Sequence, residues 1–365
     1  MTRKDAEILE LIRQNPYLSQ QEMAEALGMS RPTLANLISN LIKQGKIRGR
    51  AYVLPEPETL ICIGGANVDR KMKLQQEMEL GTSNPVSVVR SVGGVARNIA
   101  ENLGRLGRNV KLLSIAGEDP EWNFIRESSA SFMDTELTKT DSSVSTGSYT
   151  AVLNLQGEMV MAMADMDVYE SLTPELISRH ENALLSASML ILDLNCPRET
   201  VDYIRRFSQT HNIPLAIIPV SVPKMTRLGK ELDGVTWLIL NKAEAEMLLA
   251  SKIATMSDWE QAVASLLKRG AENVAITDGS RGVIAGNRRA IRHHRALEVT
   301  EIKDVTGAGD AFSSAIIHSY LEDKDMESTI QSGIINASKT LQSVAAVRPE
   351  LSANQLLKEM EELQS

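Results

Sequence analysis

The chain has 365 residues, of which 43% are hydrophobic and 24% are charged, as is ordinary for a globular protein with two domains or with one large domain and an appendage. No apolar run reaches the length of a membrane span, and the N-terminus leads straight into an amphipathic helix instead of a signal pattern, so we expect no membrane partner. The two cysteines, Cys62 and Cys196, lie in apolar, strand-like stretches without nearby histidines, which argues against a zinc site or a disulfide framework and favours the cytoplasm.

The net charge of −8 is unevenly distributed. Residues 1–54, called the head below, contain eight Lys or Arg and five Asp or Glu, which gives +3. The remaining residues contain 31 basic and 42 acidic side chains, which gives −11. A basic head on an acidic body indicates two separate tasks.

The head contains the pattern of three short helices. The first is predicted over roughly Lys4–Asn15, and the second opens on a capping box, Ser19 to Glu22, and ends near Gly28. The third is capped by Ser30 and has proline in its first turn. Its expected buried residues are Leu34, Ile38, Leu41 and Ile42.

The stretch KIRGRAYVL that follows alternates like a two-stranded wing, and the whole head resembles a winged helix-turn-helix module. In such a module the third helix enters the major groove of DNA and the wing reaches the backbone or minor groove. The candidate DNA-binding residues are Arg31, Thr33, Asn36, Arg48 and Arg50. Because a charge of +3 gives weak binding by one copy, we expect DNA binding by a homodimer, with dimerisation or regulation without DNA as the alternative. Residues 55–58, PEPE, are predicted to form a stiff linker.

From Thr59 onward, apolar strands alternate with amphipathic helices, which predicts an α/β body with a parallel sheet covered on both faces. The predicted strands are 60–65, 110–117, 188–195, 214–220, 236–241 and 273–279. The predicted helices include 95–106, 197–210, 242–249 and 257–269. Residues 70–92 and 144–166 instead show β alternation, so we expect a small separate sheet that covers the active site as a lid. Ligands of such sheets bind beyond the carboxyl ends of the strands.

The stretch DVTGAGDAF, from Asp304 to Phe312, places a glycine-rich loop directly before a helix. Unpaired N–H groups at a helix N-terminus bind phosphate, and glycine lets the backbone approach it closely. A carboxylate beside a phosphate is repulsive unless it accepts a proton from an attacking hydroxyl, so Asp310 is a candidate general base. The alternative for these residues alone is a tight turn with a capping aspartate.

Four motifs together decide between these readings. They are ANVD (66–69), GGVARNIAENLGRLG (93–107), NKAE (241–244) and DVTGAGDAF (304–312). The body resembles the ribokinase, or PfkB, family of sugar and nucleoside kinases, since the four occur in that family's order and spacing. The resemblance implies a three-layer α/β/α sandwich with a β-sheet lid. It also implies transfer of the γ-phosphoryl group of ATP to a hydroxymethyl group.

The resemblance implies the following roles. Asp310 is the base, and Gly307, Ala308 and Gly309 stabilise phosphate charge through backbone N–H groups. The substrate-binding residues are Asn67, Asp69, Gly93, Gly94, Asn98, Asp165 and Asn195. The nucleotide-binding residues are Asn241, Thr277, Gly279, Gly282 and Asn336. Glu244 holds Mg²⁺ through water, and Asp304 and Thr306 offer carbonyls to a monovalent cation such as K⁺. Read without the other motifs, Asn241 and Glu244 are simply a capped helix start, and Asp165 is a turn residue.

Several segments look more like pseudouridine kinases than ribokinases, above all Asn84-Pro85 before a lid strand and ADMD (164–167) after the lid hairpin. Asn195 also stands where ribokinases place an acidic sugar ligand, which argues against plain ribose. The expected substrate is therefore pseudouridine, with inosine, another ribonucleoside or a free sugar as alternatives. A different alternative is a ligand-sensing transcriptional regulator derived from a kinase, although such a sensor has no reason to retain Asp310 and the anion-binding loop.

Overall fold

The structure is a computed structural model that describes residues 3–15, 18–47 and 59–363. The predicted wing, with its candidate DNA contacts Arg48 and Arg50, and the predicted linker 55–58 lie outside the described residues. Among the described residues, no helix is long and apolar enough to cross a membrane.

The head contains the three expected helices, α1 (Arg3–Gln14), α2 (Gln20–Ala26) and α3 (Arg31–Lys43). The predicted capping box is present, because Ser19 N donates to Glu22 Oε2 at 2.8 Å and Glu22 N donates to Ser19 Oγ at 3.2 Å. Ser30 caps α3, whose first turn contains proline. These caps satisfy N–H groups that have no partner within a helix.

The head has its own small core, which explains why these short helices are stable together. Its fully or nearly fully buried residues include Ile8, Ile12, Met23, Leu34, Ile38 and Leu41. The prediction that Ile42 joins them is wrong, since its side chain is 47% exposed. Ile42 follows Leu41 by only about 100° around the helix, which turns it away from the apolar stripe.

The body is built from fourteen strands and ten further helices. The strands are β1 (Thr59–Ile63), β2 (Asn67–Leu74), β3 (Val86–Gly93), β4 (Asn109–Leu113), β5 (Ile115–Gly117), β6 (Lys139–Asp141), β7 (Ser148–Leu153), β8 (Met159–Asp165), β9 (Met189–Asp193), β10 (Leu215–Ile218), β11 (Trp237–Asn241), β12 (Asn273–Thr277), β13 (Val283–Asn287) and β14 (Ile291–His294). The helices are α4 (Val95–Arg105), α5 (Pro120–Ser129), α6 (Pro174–Ser178), α7 (Glu181–Ser186), α8 (Arg198–His211), α9 (Lys242–Leu249), α10 (Met256–Lys268), α11 (Ala308–Leu321), α12 (Met326–Thr340) and α13 (Ala353–Glu362).

Eight strands form the large sheet in the order β14-β13-β12-β11-β10-β9-β1-β4. Its neighbours from β12 to β4 are parallel, as predicted, but β13 and β14 pair antiparallel at one edge. Alternate residues of each strand enter separate apolar cores, so that Ile61 and Ile63 pack on one face and Leu60 and Cys62 on the other. The predicted three-layer α/β/α sandwich is therefore confirmed.

The predicted strand 110–117 is divided in the structure. β4 stays in the large sheet, whereas β5 pairs with β6 in a separate two-stranded sheet. The break falls at Ser114, whose hydroxyl donates to the carbonyl oxygen of Gly64 at 2.6 Å. That side-chain contact replaces the sheet pairing at this position and releases the chain toward β5.

The two predicted lid segments form one four-stranded sheet, in the order β3-β2-β7-β8. β2 and β7 are parallel, and the outer pairs are antiparallel. Because paired residues point to the same side of a sheet, the register shows which side chains share a face. Asp69 lies in one row with Ser91 and Tyr149.

Candidate active site

Helix α11 begins where the glycine-rich loop ends. Gly307 caps the helix with a φ of +81°, and a Cβ there would lie 2.0 Å from the carbonyl oxygen of Ala346, so only glycine fits. Ala308, Gly309 and Asp310 form the first helical turn, where backbone N–H groups have no partner within the helix. A Cβ on Gly309 would meet open space. This turn offers an accessible anion-binding position.

Asp310 is part of this first turn and is not the helix cap, so the alternative of a capping aspartate is wrong. Its Oδ2 instead accepts a hydrogen bond from Nδ2 of Asn98, a residue of the neighbouring helix α4, at 2.9 Å. Burial, together with the charges of Asp193 and Asp69, raises the pKa of Asp310 to about 7, although the Asn98 hydrogen bond opposes the shift. A carboxylate with this pKa is suited to general-base work near neutral pH.

Asp69 lies on β2, and its carboxylate is held by Asn67, whose Nδ2 donates to Oδ1 at 2.6 Å. Burial raises the pKa of Asp69 against the opposing effect of this hydrogen bond. Gly93 stands opposite Asn67 in the register, and a Cβ on Gly93 would lie 2.3 Å from Asp69 Oδ2. The absence of a side chain at Gly93 therefore leaves room for the Asp69 side chain. The carboxylate is half-buried and able to accept hydrogen bonds from hydroxyl groups.

A buried carboxylate that the sequence analysis missed organises this end of the sheet. Asp193, the last residue of β9, is 1% exposed and accepts hydrogen bonds from Gly65 N at 2.9 Å and Ala96 N at 3.1 Å. It also accepts from the backbone N and the side-chain Nδ2 of Asn195, at 2.8 and 3.1 Å. Asp193 thus ties the ends of β1 and β9 to the start of α4. The available signal was an acid inside an otherwise apolar buried strand.

The glycine turn at the start of α4 packs against the end of β1, beside the groups that Asp193 binds. Gly94 has a φ of +100°, and a Cβ there would lie 2.4 Å from the carbonyl oxygen of Gly65. A Cβ on Gly65 would in turn lie 2.5 Å from Asn195 Nδ2. Asn195 is 5% exposed and its amide is bound to Asp193, so it forms part of the floor behind Gly65. Direct substrate contact by Asn195 stays a prediction.

The structure does not bring Asp165 to the side of Asp69. Asp165 pairs with Ser148, which pairs with Val68, one position away from Asp69. Since adjacent residues of a strand point to opposite faces, the two carboxylates leave the lid sheet on opposite sides. The register therefore gives no support to the implied substrate-binding role of Asp165, which stays a prediction.

Two lid residues that the sequence analysis did not select share the face of Asp69. Tyr149 is half-buried and lies in the same row, on the neighbouring strand β7. Lys71, two positions beyond Asp69, forms an ion pair with Asp304 in the loop before α11. The lid is thereby connected to the loop that carries the candidate base. An alternation count along β2 would have placed Lys71 on this face, whereas the position of Tyr149 depends on the register between β2 and β7.

Asp304 and Thr306 form a local turn. Asp304 Oδ1 accepts from Thr306 N at 3.0 Å and from Thr306 Oγ1 at 2.7 Å, while Oδ2 pairs with Lys71. Burial raises the pKa of Asp304, but these hydrogen bonds outweigh it and the pKa is lowered overall. The carboxylate is fully engaged, so only carbonyl oxygens remain for the predicted K⁺ site, which stays a prediction.

Asn241 and Glu244 form a reciprocal capping box at the start of α9. Asn241 N donates to Glu244 Oε2 at 2.8 Å, and Glu244 N donates to Asn241 Oδ1 at 3.0 Å. Burial raises the pKa of Glu244, which is 4% exposed. Its Oε1 accepts no hydrogen bond from the residues that the structure describes. That carboxylate oxygen is free to bind Mg²⁺ through water. The capping box uses only the other oxygen, so helix capping alone does not explain why Oε1 is left without a partner among the described residues.

The predicted nucleotide-binding residues divide into two groups. Asn241 and Thr277 are register partners at the ends of β11 and β12, next to the turn that contains Gly279 and Gly282. Both glycines have positive φ, and a Cβ on Gly279 would meet open space. Asn336 does not join them. It is fully buried between α11 and α12 and bonded to protein groups on all sides, so the structure does not place its side chain at a nucleotide surface.

The head presents its candidate contacts at the start of α3. Arg31, Thr33 and Asn36 are exposed, opposite the buried stripe of the same helix. The Thr33 hydroxyl lies 2.8 Å from Ser30 Oγ, within the helix cap. These three side chains are therefore available to a partner, as a recognition helix requires.

Comparisons with known proteins agree with this geometry. Residues 57–353 match the model of the pfkB family carbohydrate kinases, and residues 1–48 match winged helix-turn-helix DNA-binding domains. The chain belongs to the pfkB family of carbohydrate kinases. It is thus a phosphotransferase of a family that phosphorylates an alcohol group, and its head is a winged helix-turn-helix domain.

Two curated relatives and one solved structure show how far the similarity extends. The Escherichia coli (strain K12) protein named uncharacterized sugar kinase YeiI is 28% identical over 98% of both chains, head included. The pseudouridine kinase of the same organism is 26% identical over 81% of this chain and 95% of its own. A carbohydrate kinase from Agrobacterium tumefaciens is 29% identical, with a TM-score of 0.74 over 83% of this chain and 97% of its own.

Proposed function

We propose that the protein is an ATP-dependent nucleoside kinase that phosphorylates the 5′-hydroxymethyl group of pseudouridine. The observation that carries this proposal is the convergence of Asp69, Asn98 and Asp310 beside an anion-binding helix N-terminus. Asp69 would bind ribose hydroxyls, and Asp310 would accept the proton of the attacking 5′-hydroxyl. Phosphoryl transfer depends mainly on positioning and charge stabilisation, which this arrangement supplies.

The phosphate side of the site comes from backbone groups. The N–H groups of the Gly307–Asp310 turn, at the N-terminus of α11, would stabilise the developing negative charge of the transferred group. Thr277, Gly279 and Gly282 would line the nucleotide, and Glu244 would hold Mg²⁺ through water. Bound Mg²⁺ would neutralise charge on the phosphates. Asp310 needs no metal for its own part, which is to remove one proton.

Tyr149 favours a nucleoside over a free sugar. Tyr149 lies in the same lid row as Asp69, and its hydroxyl donates to Met159 Sδ at 3.8 Å. From this row its ring would stack on a base attached to the bound ribose. Base stacking on an aromatic ring contributes about 1–3 kcal/mol. We therefore expect Tyr149→Ala to raise KM for pseudouridine by roughly 5- to 150-fold, and to leave KM for ribose, if ribose is turned over, within about 2-fold.

Thr150→Ala is a matched control for this comparison, because Thr150 is the next residue of β7 and points to the opposite lid face. Steady-state kinetics with both substrates check the prediction. Equal losses for nucleoside and sugar in Tyr149→Ala would show that the ring supports the lid and does not contact a base.

The decisive test of the proposed activity is an ATP-dependent phosphorylation screen of the purified protein over pseudouridine, uridine, inosine, guanosine, ribose and other pentoses. Pseudouridine should give the highest kcat/KM. Turnover of free ribose without turnover of pseudouridine would replace the assignment by a sugar kinase. Binding of a nucleoside without turnover of any compound would instead favour the ligand-sensing regulator.

We further propose that the head binds DNA, because its matching family is DNA-binding and the start of α3 is exposed. Arg31→Ala should weaken binding and, if Arg31 contacts a phosphate, reduce the salt slope by about one unit. Kinase activity should not change. Lys43→Ala, at the other end of α3, is the control. Gel-shift titrations at several salt concentrations measure both, and failure of the intact protein to shift any genomic fragment at low salt would reject DNA binding.

A homodimer is proposed through the lid. Val88, Met161 and Met163 are 52%, 49% and 51% exposed, and the register places them on the lid face opposite Asp69. An apolar face of this kind marks an interaction site, and a second copy would cover it with the same residues. Light scattering should therefore give twice the monomer mass, and Met161→Glu with Met163→Glu should give the monomer. A wild-type monomer at micromolar concentration would contradict the dimer.

A further inference from the structure

A series of buried polar side chains, joined by hydrogen bonds that pass through the backbone oxygen of Asn98, leads from the C-terminal helix to the candidate base. We call it the polar chain. Its members are Asn98, Asn102, Asn336, Arg348 and Glu359. None is more than 5% exposed, and three of them are fully buried. Polar groups at such depth cost stability unless they are paired, so a chain of five is unusual for a region with only a packing role.

The far end of the polar chain is an ion pair. Arg348 donates from Nη1 and Nη2 to the two oxygens of Glu359 on α13, at 2.8 and 2.7 Å. Arg348 Nε donates to Asn336 Oδ1 on α12 at 2.9 Å, and Nη1 also lies 3.9 Å from Glu350 Oε1. A guanidinium group only donates. Arg348 therefore determines which end of the Asn336 amide faces it, and this end must be the oxygen.

Asn336 in turn forms hydrogen bonds to α11 and α4, the two helices that hold the base. With its oxygen committed to Arg348, Asn336 donates from Nδ2 to the carbonyl oxygen of Ala311 at 2.9 Å and to Asn102 Oδ1 at 3.3 Å. Ala311 directly follows Asp310 in α11. Asn102 Nδ2 then donates to the carbonyl oxygen of Asn98 at 2.9 Å, and Asn98 Nδ2 donates to Asp310 Oδ2 at 2.9 Å.

The last link also has one allowed orientation. Arg97 Nη1 donates to Asn98 Oδ1 at 3.3 Å, which leaves Nδ2 as the group that faces Asp310. Two donor-only guanidinium groups thus act on the polar chain, since Arg348 fixes the amide of Asn336 and Arg97 fixes the amide of Asn98. The amide of Asn102 is fixed as well, because its oxygen accepts from Asn336 and its nitrogen donates to a carbonyl oxygen. That arrangement orients a donor toward the ionised form of Asp310.

We propose that Asn336 and Arg348 are positioning residues for the base, and that α13, through Glu359, belongs to the apparatus that holds Asp310 in place. The inference rests on the proposed function, in which Asp310 accepts the proton of the substrate hydroxyl. It assigns to Asn336 a role behind the base instead of the nucleotide contact implied by the family resemblance. Small misplacements of a reacting group can cost up to about 100-fold in rate.

The test compares two variants of the polar chain with one control. Arg348→Met with Glu359→Met removes the ion pair without changing net charge, and buried pairs replaced in this way often keep their stability. Asn336→Ser is a second, smaller change that removes the amide. Lys358→Met with Glu362→Met removes the exposed pair on the same helix, whose atoms lie 3.8 Å apart, and serves as the control.

The expected result is a decrease in kcat of roughly 10-fold per active molecule for both polar-chain variants, with KM for ATP within about 2-fold of wild type. The acid limb of the pH profile should move to higher pH, because a weaker Asn98 hydrogen bond no longer lowers the pKa of Asp310. The other groups that act on Asp310 are Asp69 from β2 and Asp193 from β9, and neither is altered. Wild-type kcat and an unmoved acid limb in a folded polar-chain variant would overturn the proposal.

A stability cycle tests the inference without turnover. Asp310→Asn is combined with Asn336→Ser, and thermal midpoints of the four proteins are measured from pH 5 to pH 8. If the polar chain holds the base, the effect of Asp310→Asn on the midpoint should depend on residue 336, and the dependence should vary with pH. Additive effects at every pH would overturn the inference. Absence of kinase activity in wild type, with coupling still present, would count against the proposed function alone.

Discussion

Replacement of Asp310 by asparagine is expected to lower kcat by about 10²- to 10⁴-fold, because the variant cannot accept the proton of the attacking hydroxyl. The change keeps the size of the side chain and removes one negative charge beside the phosphates, so ATP affinity should stay the same or rise. The helix start is unaffected, since Gly307 and not Asp310 caps α11. Steady-state kinetics and ATP titration measure the two quantities separately.

The pH dependence of this variant gives a second readout. The pKa of Asp310 is raised to about 7, so in wild type kcat/KM should fall as the pH drops below about 7, where the base becomes protonated. Between about pH 4 and pH 7 the folded protein retains a proton on this carboxyl that the unfolded chain has released. Stability therefore decreases progressively as the pH rises from about 4 to about 7. Asp310→Asn should therefore melt at a higher temperature than wild type at pH 8, and the difference should shrink at pH 5.

Ser314→Ala is a suitable control, because its hydroxyl donates to the backbone oxygen of Asp310 at 2.6 Å without touching the carboxylate. It should retain most of wild-type kcat. If Asp310→Asn keeps more than about a tenth of wild-type kcat, Asp310 is not the base.

Asp69→Asn should produce the second largest loss, a decrease in kcat/KM of about 10- to 150-fold. A hydrogen bond to a charged acceptor contributes about 1.5–3 kcal/mol. The amide that replaces the carboxylate must turn its oxygen toward Asn67 Nδ2, which donates at 2.6 Å, so a donor takes the place of the second acceptor oxygen that would bind the substrate hydroxyls. The loss should appear in KM for the nucleoside or sugar and leave KM for ATP unchanged.

Asp165→Asn is the matched control, since it makes the same chemical change on the opposite face of the same lid sheet. It should keep wild-type kinetics. Equal effects of the two substitutions would mean that both act through the charge of the lid, and that Asp69 does not bind the substrate directly.

Much of the fold could be predicted from local patterns. Apolar strands alternating with amphipathic helices indicated a covered parallel sheet, and the capping residues Ser19 and Ser30 indicated helix starts that the structure contains. The two lid segments could be predicted because their β alternation interrupts the regular succession of apolar strands and amphipathic helices. The glycine-rich loop before α11 identified an anion-binding helix N-terminus, because φ and steric requirements of glycine act within a few residues.

Other features depended on contacts between residues far apart in the chain. The raised pKa of Asp310 arises first from burial and then from the charges of Asp193 and Asp69, against the hydrogen bond from Asn98, and these three residues come from three separate elements. The partners of Asp193 are backbone N–H groups at Gly65 and Ala96, which lie about 100 or more positions away in the chain and are not indicated by the strand that contains it. The face of Asp165 depended on strand register, which a one-residue shift would reverse.

By itself, the sequence determined the fold class, the positions of most helices and strands, and the candidate base Asp310, since these follow from periodicity, caps and glycine conformation. Only the tertiary structure decided that Asn336 is fully buried and donates to the backbone oxygen of Ala311, next to Asp310, and that Tyr149 lies in one row with Asp69. The physical reason is that burial, charge and hydrogen-bond orientation belong to assembled neighbours. Asn102 and Asn336 are 234 positions apart in the chain, so no local sequence pattern indicates their contact.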